Sequence, residues 1–282
     1  MKVGYCTWGM RNVPADVFIP HLAKLGYDGI EIAVLPGFTT ELTTLDAPER
    51  RRIATMLREY HLELPAIAGH CDMLDLDPDK HRANMRRLKG AVDLAVDWTF
   101  DTTPPAIDTT SGPCPLPWDE AKKLLAERTK ELCDYAAPKG VAIAMEPHIS
   151  TAINTPQKML ELIALVDSPN LKINFDISHF NVQGIAIEDS VRLLAPQSVH
   201  VHVKDERGLV PNYEFLIPGE GEFDYVRFLH AMRAQNYTGH ITAEISIVVQ
   251  RRPHYDPLAV AAQTYATLSR AFDQAEIQRN RG

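Results

Sequence analysis

The sequence predicts a single-domain α/β protein with the (β/α)8 TIM barrel fold, and three observations support this prediction. Eight short apolar segments alternate with eight longer amphipathic segments along the 282 residues, and such alternation is typical of a parallel sheet. Eight units in a chain of this length are the number that closes a barrel. The connections before the strands are short, whereas several of those after the strands are long. An open doubly wound sheet is the alternative.

The predicted strands are short runs of apolar residues that end at glycine, proline or charged residues. They span residues 3–7, 29–33, 62–68, 98–101, 141–146, 171–176, 198–204 and 240–245. Several of these runs end in a single carboxylate or imidazole side chain. Aspartate is depleted in strands, so these strand ends are candidates for a functional role.

The predicted helices are segments in which apolar residues recur with a period of 3.6 residues. They span residues 14–25, 48–60, 78–96, 118–136, 156–166, 187–194, 224–234 and 257–271. Proline stands at the start of several of them, where its missing N–H costs no hydrogen bond and its φ already suits a helix. We expect residues 1–274 to form the barrel and residues 275–282 to form a frayed C-terminal tail.

Four of the predicted strand-to-helix connections are long. They read LPGFTTELTTLDA after the second strand, TTPPAIDTTSGPCPLP after the fourth, DERGLVPNYEFLIPGEGEF after the seventh and SIVVQRRPHYDP after the eighth. Long loops in a compact domain usually serve a function, and in a TIM barrel these loops all gather at the C-terminal face. The sequence therefore predicts an active site at this face.

The composition limits the possible classes of function. Hydrophobic residues make up 45% of the chain and charged residues 23%, which is typical of a globular protein with a large core. The net charge of −8 argues against a nucleic-acid partner. No segment resembles a signal peptide or a membrane span, so we predict a cytoplasmic protein without a membrane partner. A homo-oligomer is possible.

The cysteines point to no special chemistry. Cys6, Cys71, Cys114 and Cys133 are widely separated and form no CxxC pair, so they predict neither a disulfide framework nor a thiolate zinc site.

Four consecutive predicted strands carry a metal-binding side chain at or near their ends: Glu146, Asp176, His202 and Glu244. In a barrel these side chains can point into one mouth. Three carboxylates there would repel one another strongly unless a cation lay among them. Carboxylates with one imidazole suit one divalent ion in octahedral geometry, so we predict manganese, magnesium or cobalt, with zinc as the second choice.

Other polar and aromatic residues are weaker candidates for this mouth. Trp8 and His70 follow the first and third predicted strands, where a ring can stack on a sugar or donate to a hydroxyl. His148 stands two residues after Glu146 and either faces the same mouth or bonds to the backbone. Glu31, near the end of the second strand, could support a metal ligand.

At these residues the chain resembles the sugar phosphate isomerase/epimerase family with the xylose-isomerase-like TIM barrel. The likeness covers nearly the whole chain, and its motifs are AMEPH, FDISH, VHVKD, PGEGEFDY and YTGHITAEIS. The resemblance implies that Glu146, Asp176, His202 and Glu244 hold one metal ion. It also implies that Glu146 and Glu244 act as base and acid, and that His179 holds a substrate oxygen.

The resemblance implies a small-molecule sugar or keto-sugar as substrate. A metal that chelates a carbonyl and the adjacent hydroxyl acidifies the C–H between them and stabilises the enediolate formed on deprotonation. The implied activity, in carbohydrate metabolism, is therefore that of an isomerase or epimerase. The HVKD motif resembles inosose dehydratases and family members that act on 3-keto sugars or glycosides, so a lyase with the same site is the alternative.

The chain departs from the ketose 3-epimerases of this family at two substrate-contacting positions. Those enzymes carry an arginine six residues after the metal histidine and a glutamate six residues after the first metal glutamate, whereas this chain has Gly208 and Ala152. Arg207 is a candidate substitute for the arginine. Lys204, Asp205 and Arg207 could form ion pairs with one another or contact the substrate.

Two remote alternatives belong to other classes of function. The barrel also resembles endonucleases that cut DNA at abasic sites, but these build a three-zinc cluster with a histidine at strand four, and WTFDTTPP contains none. The other alternative is a non-catalytic binding subunit, and the intact set of four metal ligands argues against it.

Overall fold

The computed structural model describes residues 1–100 and 102–279. The strands are β1 Lys2–Cys6, β2 Gly29–Ala33, β3 Ala66–Asp72, β4 Ala106–Thr110, β5 Ile143–Glu146, β6 Leu171–Asp176, β7 Ser198–Val203, β8 Asp205–Leu209, β9 Asn212–Leu216 and β10 His240–Ala243. All except β8 and β9 form one closed barrel, in the order β1-β10-β7-β6-β5-β4-β3-β2. Because β1 pairs in parallel with both β2 and β10, the predicted (β/α)8 barrel is confirmed and the open sheet is excluded.

The helices lie between the strands. They are α1 Ala15–Leu25, α2 Ala47–Glu59, α3 Pro78–Asp97, α4 Trp118–Ala136, α5 Pro156–Val166, α6 Ser178–Asn181, α7 Ile187–Leu194, α8 Tyr225–Ala234, α9 Ile247–Gln250 and α10 Pro257–Gln274. Proline occupies one of the first two positions of α2, α3, α5 and α10, as predicted from the proline positions. Among the described residues, no helix is long and apolar enough to cross a membrane.

The predicted fourth strand, 98–101, is wrong. Trp98 directly follows the end of α3, and its ring is buried while its Nε1 donates to the Arg50 carbonyl at 3.0 Å; Asp101 lies outside the described residues. The fourth strand is β4, which pairs with β3 and β5. The apolar residues near 98 therefore pack between helices, and the strand lies in a segment that we expected to be a loop.

Two further boundaries also differ from the prediction. The third strand begins at Ala66 rather than at Leu62 and runs to Asp72, so His70 lies within β3 and not after it. Trp8 belongs to a short 3-10 helix, Thr7–Met10, that directly follows β1.

The long connection after β7 contains an antiparallel hairpin formed by β8 and β9. The PGEGEF segment follows this hairpin and folds back against Asp205. The Asp205 carboxylate accepts hydrogen bonds from the backbone N–H groups of Glu206, Gly219 and Phe223 at 3.0, 2.7 and 3.1 Å. The Asp205 carboxylate thus binds the PGEGEF segment near both of its ends. The hairpin lies at the barrel mouth, where Tyr213 and Phe215 line the cavity.

The described part of the predicted C-terminal tail is not frayed. Ala275 is buried, and Arg279 forms an ion pair with Asp28 at 2.7 Å and donates to the Gly26 carbonyl at 2.5 Å. Residues 275–279 therefore lie against the loop before β2, and residues 280–282 lie outside the described residues.

Candidate active site

The four predicted metal ligands converge at the C-terminal mouth of the barrel. Glu146 and Asp176 are the last residues of β5 and β6, His202 lies opposite Asp176 in β7, and Glu244 directly follows β10. All four side chains are buried, and one ligand atom from each lies within 4.8 Å of those of the other three. Parallel strands end at the same edge of the sheet, so their terminal residues meet although they are far apart in the chain.

The imidazole of His202 is oriented by a carboxylate from β2. His202 Nε2 lies 2.5 Å from Glu31 Oε2, and the Asn174 amide donates to His202 Nδ1 at 3.1 Å. With Nε2 turned to Glu31, Nδ1 faces the group of proposed ligands, 3.6 Å from Glu146 Oε1. Glu31 thus lies beside the proposed metal ligand His202 and orients its ring, the kind of support that carboxylates give to histidines at metal sites.

Charge interactions and hydrogen bonds hold Asp176 in its orientation. Its Oδ1 accepts from the backbone N–H and the hydroxyl of Ser178 at 2.9 and 2.6 Å, and its Oδ2 lies 2.8 Å from the Lys204 ammonium. Burial raises the pKa of Asp176, but its charged neighbours, above all the Lys204 ammonium, outweigh this effect and hold that pKa well below its usual range. The carboxylate is therefore ionised at neutral pH and available as a ligand.

Lys204 is the main residue of the site whose partners the sequence did not indicate. Its buried ammonium forms ion pairs with Asp176 and Glu244 rather than with Asp205, and the ring of Phe215 lies 5.3 Å away. Lys204 is two positions after His202 along the strand direction, so both side chains turn to the same side. That period-2 relationship is the sequence signal that could have placed Lys204 in the mouth.

Asp108, in β4, is a second site residue that the sequence analysis did not identify, because the fourth strand was predicted elsewhere. It is fully buried, and its Oδ2 lies 3.4 Å from His70 Nε2. Burial, followed by the charges of Glu146 and Glu31, raises the pKa of Asp108 well above its usual range. Ligand atoms of His70, Asp108 and Glu146 also lie within 4.8 Å of one another.

The charges at the mouth favour a bound cation. Among the residues that the structure describes, five acidic side chains and one lysine are buried there, namely Glu31, Asp108, Glu146, Asp176, Glu244 and Lys204. Buried carboxylates without enough positive charge are costly. Glu146 Oε1 is buried and accepts no hydrogen bond, so a lone pair points into the group of four ligands. Three carboxylates and one imidazole form a donor set that a divalent cation fits.

Glu146 is ionised at neutral pH. Burial raises the pKa of its carboxyl, but the hydrogen bond and the charge of the neighbouring His202 outweigh burial and lower that pKa to about 2.

A cavity of about 550 Å³ opens outward from these ligands, and most of the predicted substrate contacts line it. His179 Nε2 lies 3.4 Å from Asp176 Oδ2 and 3.8 Å from Glu146 Oε1. Burial lowers the pKa of His179 well below its usual range, so the ring is neutral. The His148 ring packs on that of His179 with centroids 3.7 Å apart. Both imidazole rings can therefore donate a hydrogen bond to an uncharged ligand while remaining uncharged themselves.

The remaining predicted contacts divide into two groups. Trp8 and His70 line the cavity, with ring centroids 5.5 Å apart. Arg207 does not line it: the guanidinium is half exposed and binds Glu214 and the Glu220 carbonyl on the outer side of the hairpin. The hairpin directs Arg207 away from the mouth, because Tyr213 and Phe215 of β9 occupy the cavity wall instead.

Curated proteins similar to this chain include sugar epimerases and isomerases and also dehydratases, all at low identity. Fructoselysine 3-epimerase of Shigella flexneri is 26% identical over 267 residues, which cover 90% of this chain and 93% of that protein. 3-Dehydroshikimate dehydratase of Bacillus anthracis is 21% identical over 280 residues, which cover 89% and 98%.

Solved structures share the fold. The IOLI protein with a bound zinc atom superposes with a TM-score of 0.77 at 20% identity, over 98% of each chain. A xylose isomerase-like TIM barrel protein from Mycobacterium smegmatis in complex with magnesium superposes with a TM-score of 0.71 at 19% identity, over 97% of each chain.

The family pattern described as xylose isomerase-like TIM barrel matches residues 19–267. This match spans most of the chain and includes the strand ends that carry Glu146, Asp176, His202 and Glu244. The chain belongs to the xylose isomerase-like TIM barrel family.

Proposed function

We propose that this protein is a divalent-metal-dependent isomerase or epimerase of a sugar or keto-sugar that abstracts a proton from the carbon next to a carbonyl. The observation that carries the proposal is the convergence of Glu146, Asp176, His202 and Glu244 at the base of a cavity. These four residues would hold the ion, with Mn²⁺ as the first choice and Mg²⁺, Co²⁺ or Zn²⁺ as alternatives. When bound, the ion would polarise the substrate carbonyl and acidify the neighbouring C–H.

The side chains of the cavity suit a proton transfer. Glu146 and Glu244 are the proposed base and acid. The Glu146 carboxylate can accept a proton because it is ionised at neutral pH, with a pKa of about 2. The Lys204 ammonium is paired with Glu244 and would keep that carboxylate in place. Neutral His179 and His148 would donate hydrogen bonds to substrate oxygens, and Trp8 and His70 would also contact the substrate.

A lyase is the second candidate, and the dehydratase among the relatives favours it. Dehydration begins with the same removal of a proton next to a ketone and continues with loss of a leaving group. The same residues therefore serve both reactions, and only the product distinguishes them.

The test is incubation of the Mn²⁺-loaded protein with ketoses, inososes and 3-keto-glycosides in deuterated water, followed by NMR. We expect deuterium at the carbon next to the carbonyl; loss of water in the same spectra would identify the lyase. Glu146→Gln and Glu244→Gln should each lower the exchange rate by about 10²–10⁴-fold, because an amide cannot take up the proton. Exposed Glu188, paired with Arg227 on the surface, provides the control substitution, Glu188→Gln.

The metal content of each variant separates a lost base from a lost ion. Asp176→Asn and His202→Asn should mainly reduce the bound metal, measured by inductively coupled plasma mass spectrometry. Near-normal exchange in either glutamine variant would contradict the acid and base roles, and full metal content in the Asp176 or His202 variant would contradict the ligand set.

A further inference from the structure

The cavity extends well beyond the four proposed ligands. Its inner end is formed by Glu146, His179, Lys204 and Glu244, and its volume is about 550 Å³. Pockets of this size typically enclose a drug-sized ligand, which is larger than one monosaccharide. A single sugar ring at the inner end would therefore leave the outer part of the cavity unfilled.

The outer wall is apolar and comes from three separate elements. Trp8 lies in the 3-10 helix after β1, Tyr213 and Phe215 lie in β9, and Ile247 and Val248 begin α9. Ile247 is 42% exposed and Val248 is 62% exposed. Large apolar side chains that remain exposed side by side in a concave wall are typical of a ligand-binding groove.

The charges of the cavity argue against an anionic ligand in its outer part. Asp72 and Glu214 contribute carboxylates to the lining. Among the described residues that line the cavity, Lys204 is the one lysine or arginine, and its ammonium is already paired with Asp176 and Glu244. A phosphate or carboxylate bound beside Val248 would meet repulsion without a compensating cation.

We propose that this outer wall is a subsite for an uncharged, aromatic substituent on the sugar, so that the substrate is a conjugate such as an aryl glycoside rather than a free or phosphorylated monosaccharide. The inference rests on the proposed function, because the same cavity places the reacting carbons at the inner end. Aromatic rings at Trp8, Tyr213 and Phe215 would pack against the substituent edge to face, and Ile247 and Val248 would lose their exposure to water.

Isothermal titration calorimetry of the Mn²⁺-loaded protein with three matched probes tests the subsite. The probes are the methyl, phenyl and 4-carboxyphenyl 3-keto-β-D-glucopyranosides. We expect the phenyl compound to bind at least 10-fold more tightly than the methyl compound, and the 4-carboxyphenyl compound to lose that advantage. Equal affinities for all three compounds, or tightest binding of the carboxylate, would overturn the inference.

Substitutions locate the preference on the protein. The double variant Ile247→Ser/Val248→Ser should reduce the phenyl-to-methyl ratio of affinities to about 2 or less. Leu165→Ser is the control, because Leu165 is 48% exposed on α5 and does not line the cavity; this variant should keep the wild-type ratio. A double variant with an unchanged ratio would contradict the subsite.

A second copy of the chain is the competing occupant of this wall, and light scattering distinguishes it. A dimer that becomes a monomer in the double variant, with the phenyl-to-methyl ratio unchanged, would assign the wall to self-association and overturn the inference. The binding ratio does not require turnover. A phenyl preference without deuterium exchange would therefore leave the subsite standing and contradict the proposed function, whereas exchange with equal affinities would contradict the subsite alone.

Discussion

At the scale of single residues, the candidate site depends on side chains that orient other side chains. Glu31 is fully buried, and burial raises the pKa of its carboxyl, but His202 and His200 outweigh burial and hold that pKa well below its usual range. An ionised Glu31 accepts a hydrogen bond from Nε2 of His202 and so fixes the orientation of the ring, with Nδ1 facing Glu146. A histidine that is held in its binding orientation can bind a metal without the cost of reorienting its ring.

Replacement of Glu31 by glutamine should therefore weaken metal binding. We expect the Mn²⁺ dissociation constant of Glu31→Gln to rise about 10–100-fold, the usual effect of losing such a supporting carboxylate, as measured by calorimetry on the metal-free protein. The surface variant Glu188→Gln should bind Mn²⁺ like the wild type. An unchanged dissociation constant in Glu31→Gln would show that the contact with His202 does not tune the site.

At the scale of elements, the site depends on how the hairpin and α6 pack beside the mouth. The carboxylate of Asp205, at the start of β8, accepts hydrogen bonds from three backbone N–H groups. A Cβ on Gly221 would lie 2.5 Å from the Glu206 carbonyl oxygen, so the PGEGEF segment can approach β8 only with glycine at this position. Glu206, the next residue of β8, accepts from the Asn181 amide of α6 at 2.8 Å. The helix that carries His179 is thereby attached to the hairpin.

Burial of the Glu206 carboxyl should make the stability of the protein depend on pH. Burial raises the pKa of Glu206 to about 8, against about 4.3 in an unfolded chain. The protonated form favours folding, so its contribution is complete below pH about 4 and is lost as the pH rises to about 8. Glu206→Gln mimics the protonated form. The free energy of unfolding of Glu206→Gln minus that of the wild type should increase by up to about 4 kcal/mol from pH 5 to pH 9, as measured by urea denaturation.

The control for this prediction is Glu222→Gln in the neighbouring segment. The Glu222 side chain is 71% exposed. A surface substitution of this kind should change the free energy of unfolding by no more than about 0.5 kcal/mol relative to the wild type at either pH. A pH-independent difference between Glu206→Gln and the wild type would contradict the raised pKa.

At the scale of the whole molecule, the four ligands come together only when the barrel closes. Glu146 and Glu244 lie at the ends of strands separated in the barrel by β6 and β7, and the ligand group does not exist in the unfolded chain. An ion that binds only the folded protein raises the free energy of unfolding by about 2.7 kcal/mol at a concentration of 100 times its dissociation constant. The folded barrel and the occupied site should therefore be thermodynamically linked.

Removal of metal should lower the thermal stability for this reason. We expect the unfolding midpoint of the wild type to fall after treatment with a chelator and to recover when Mn²⁺ is added, as measured by differential scanning calorimetry. Asp176→Asn should have the same midpoint with and without Mn²⁺. A wild-type midpoint that does not respond to chelator or Mn²⁺ would contradict a metal site in this mouth.

Much of this architecture could be predicted because it follows from local patterns. The runs KINFD and VHVH alternate with period 2 and end in the polar residues Asp176 and His202, so the positions of these residues at the mouth follow from strand geometry. The fourth strand could not be predicted in the same way. AIDTT carries an aspartate in its middle and follows two prolines, which is typical of a loop, and it is a strand because β3 and β5 supply hydrogen-bonding partners on both sides.

The sequence by itself determined the eight-fold alternation, the long loops of one face and the strand-end positions of the four residues that we propose as ligands, because these depend on the period and the order of residues near one another in the chain. Only the tertiary structure decided that Asp108 lies beside His70, that Lys204 pairs with Asp176 and Glu244, and that Arg207 turns away from the mouth. Contacts of this second kind join residues from different strands and loops. Their partners depend on barrel closure and on the path of the hairpin, and neither can be predicted from a local sequence pattern.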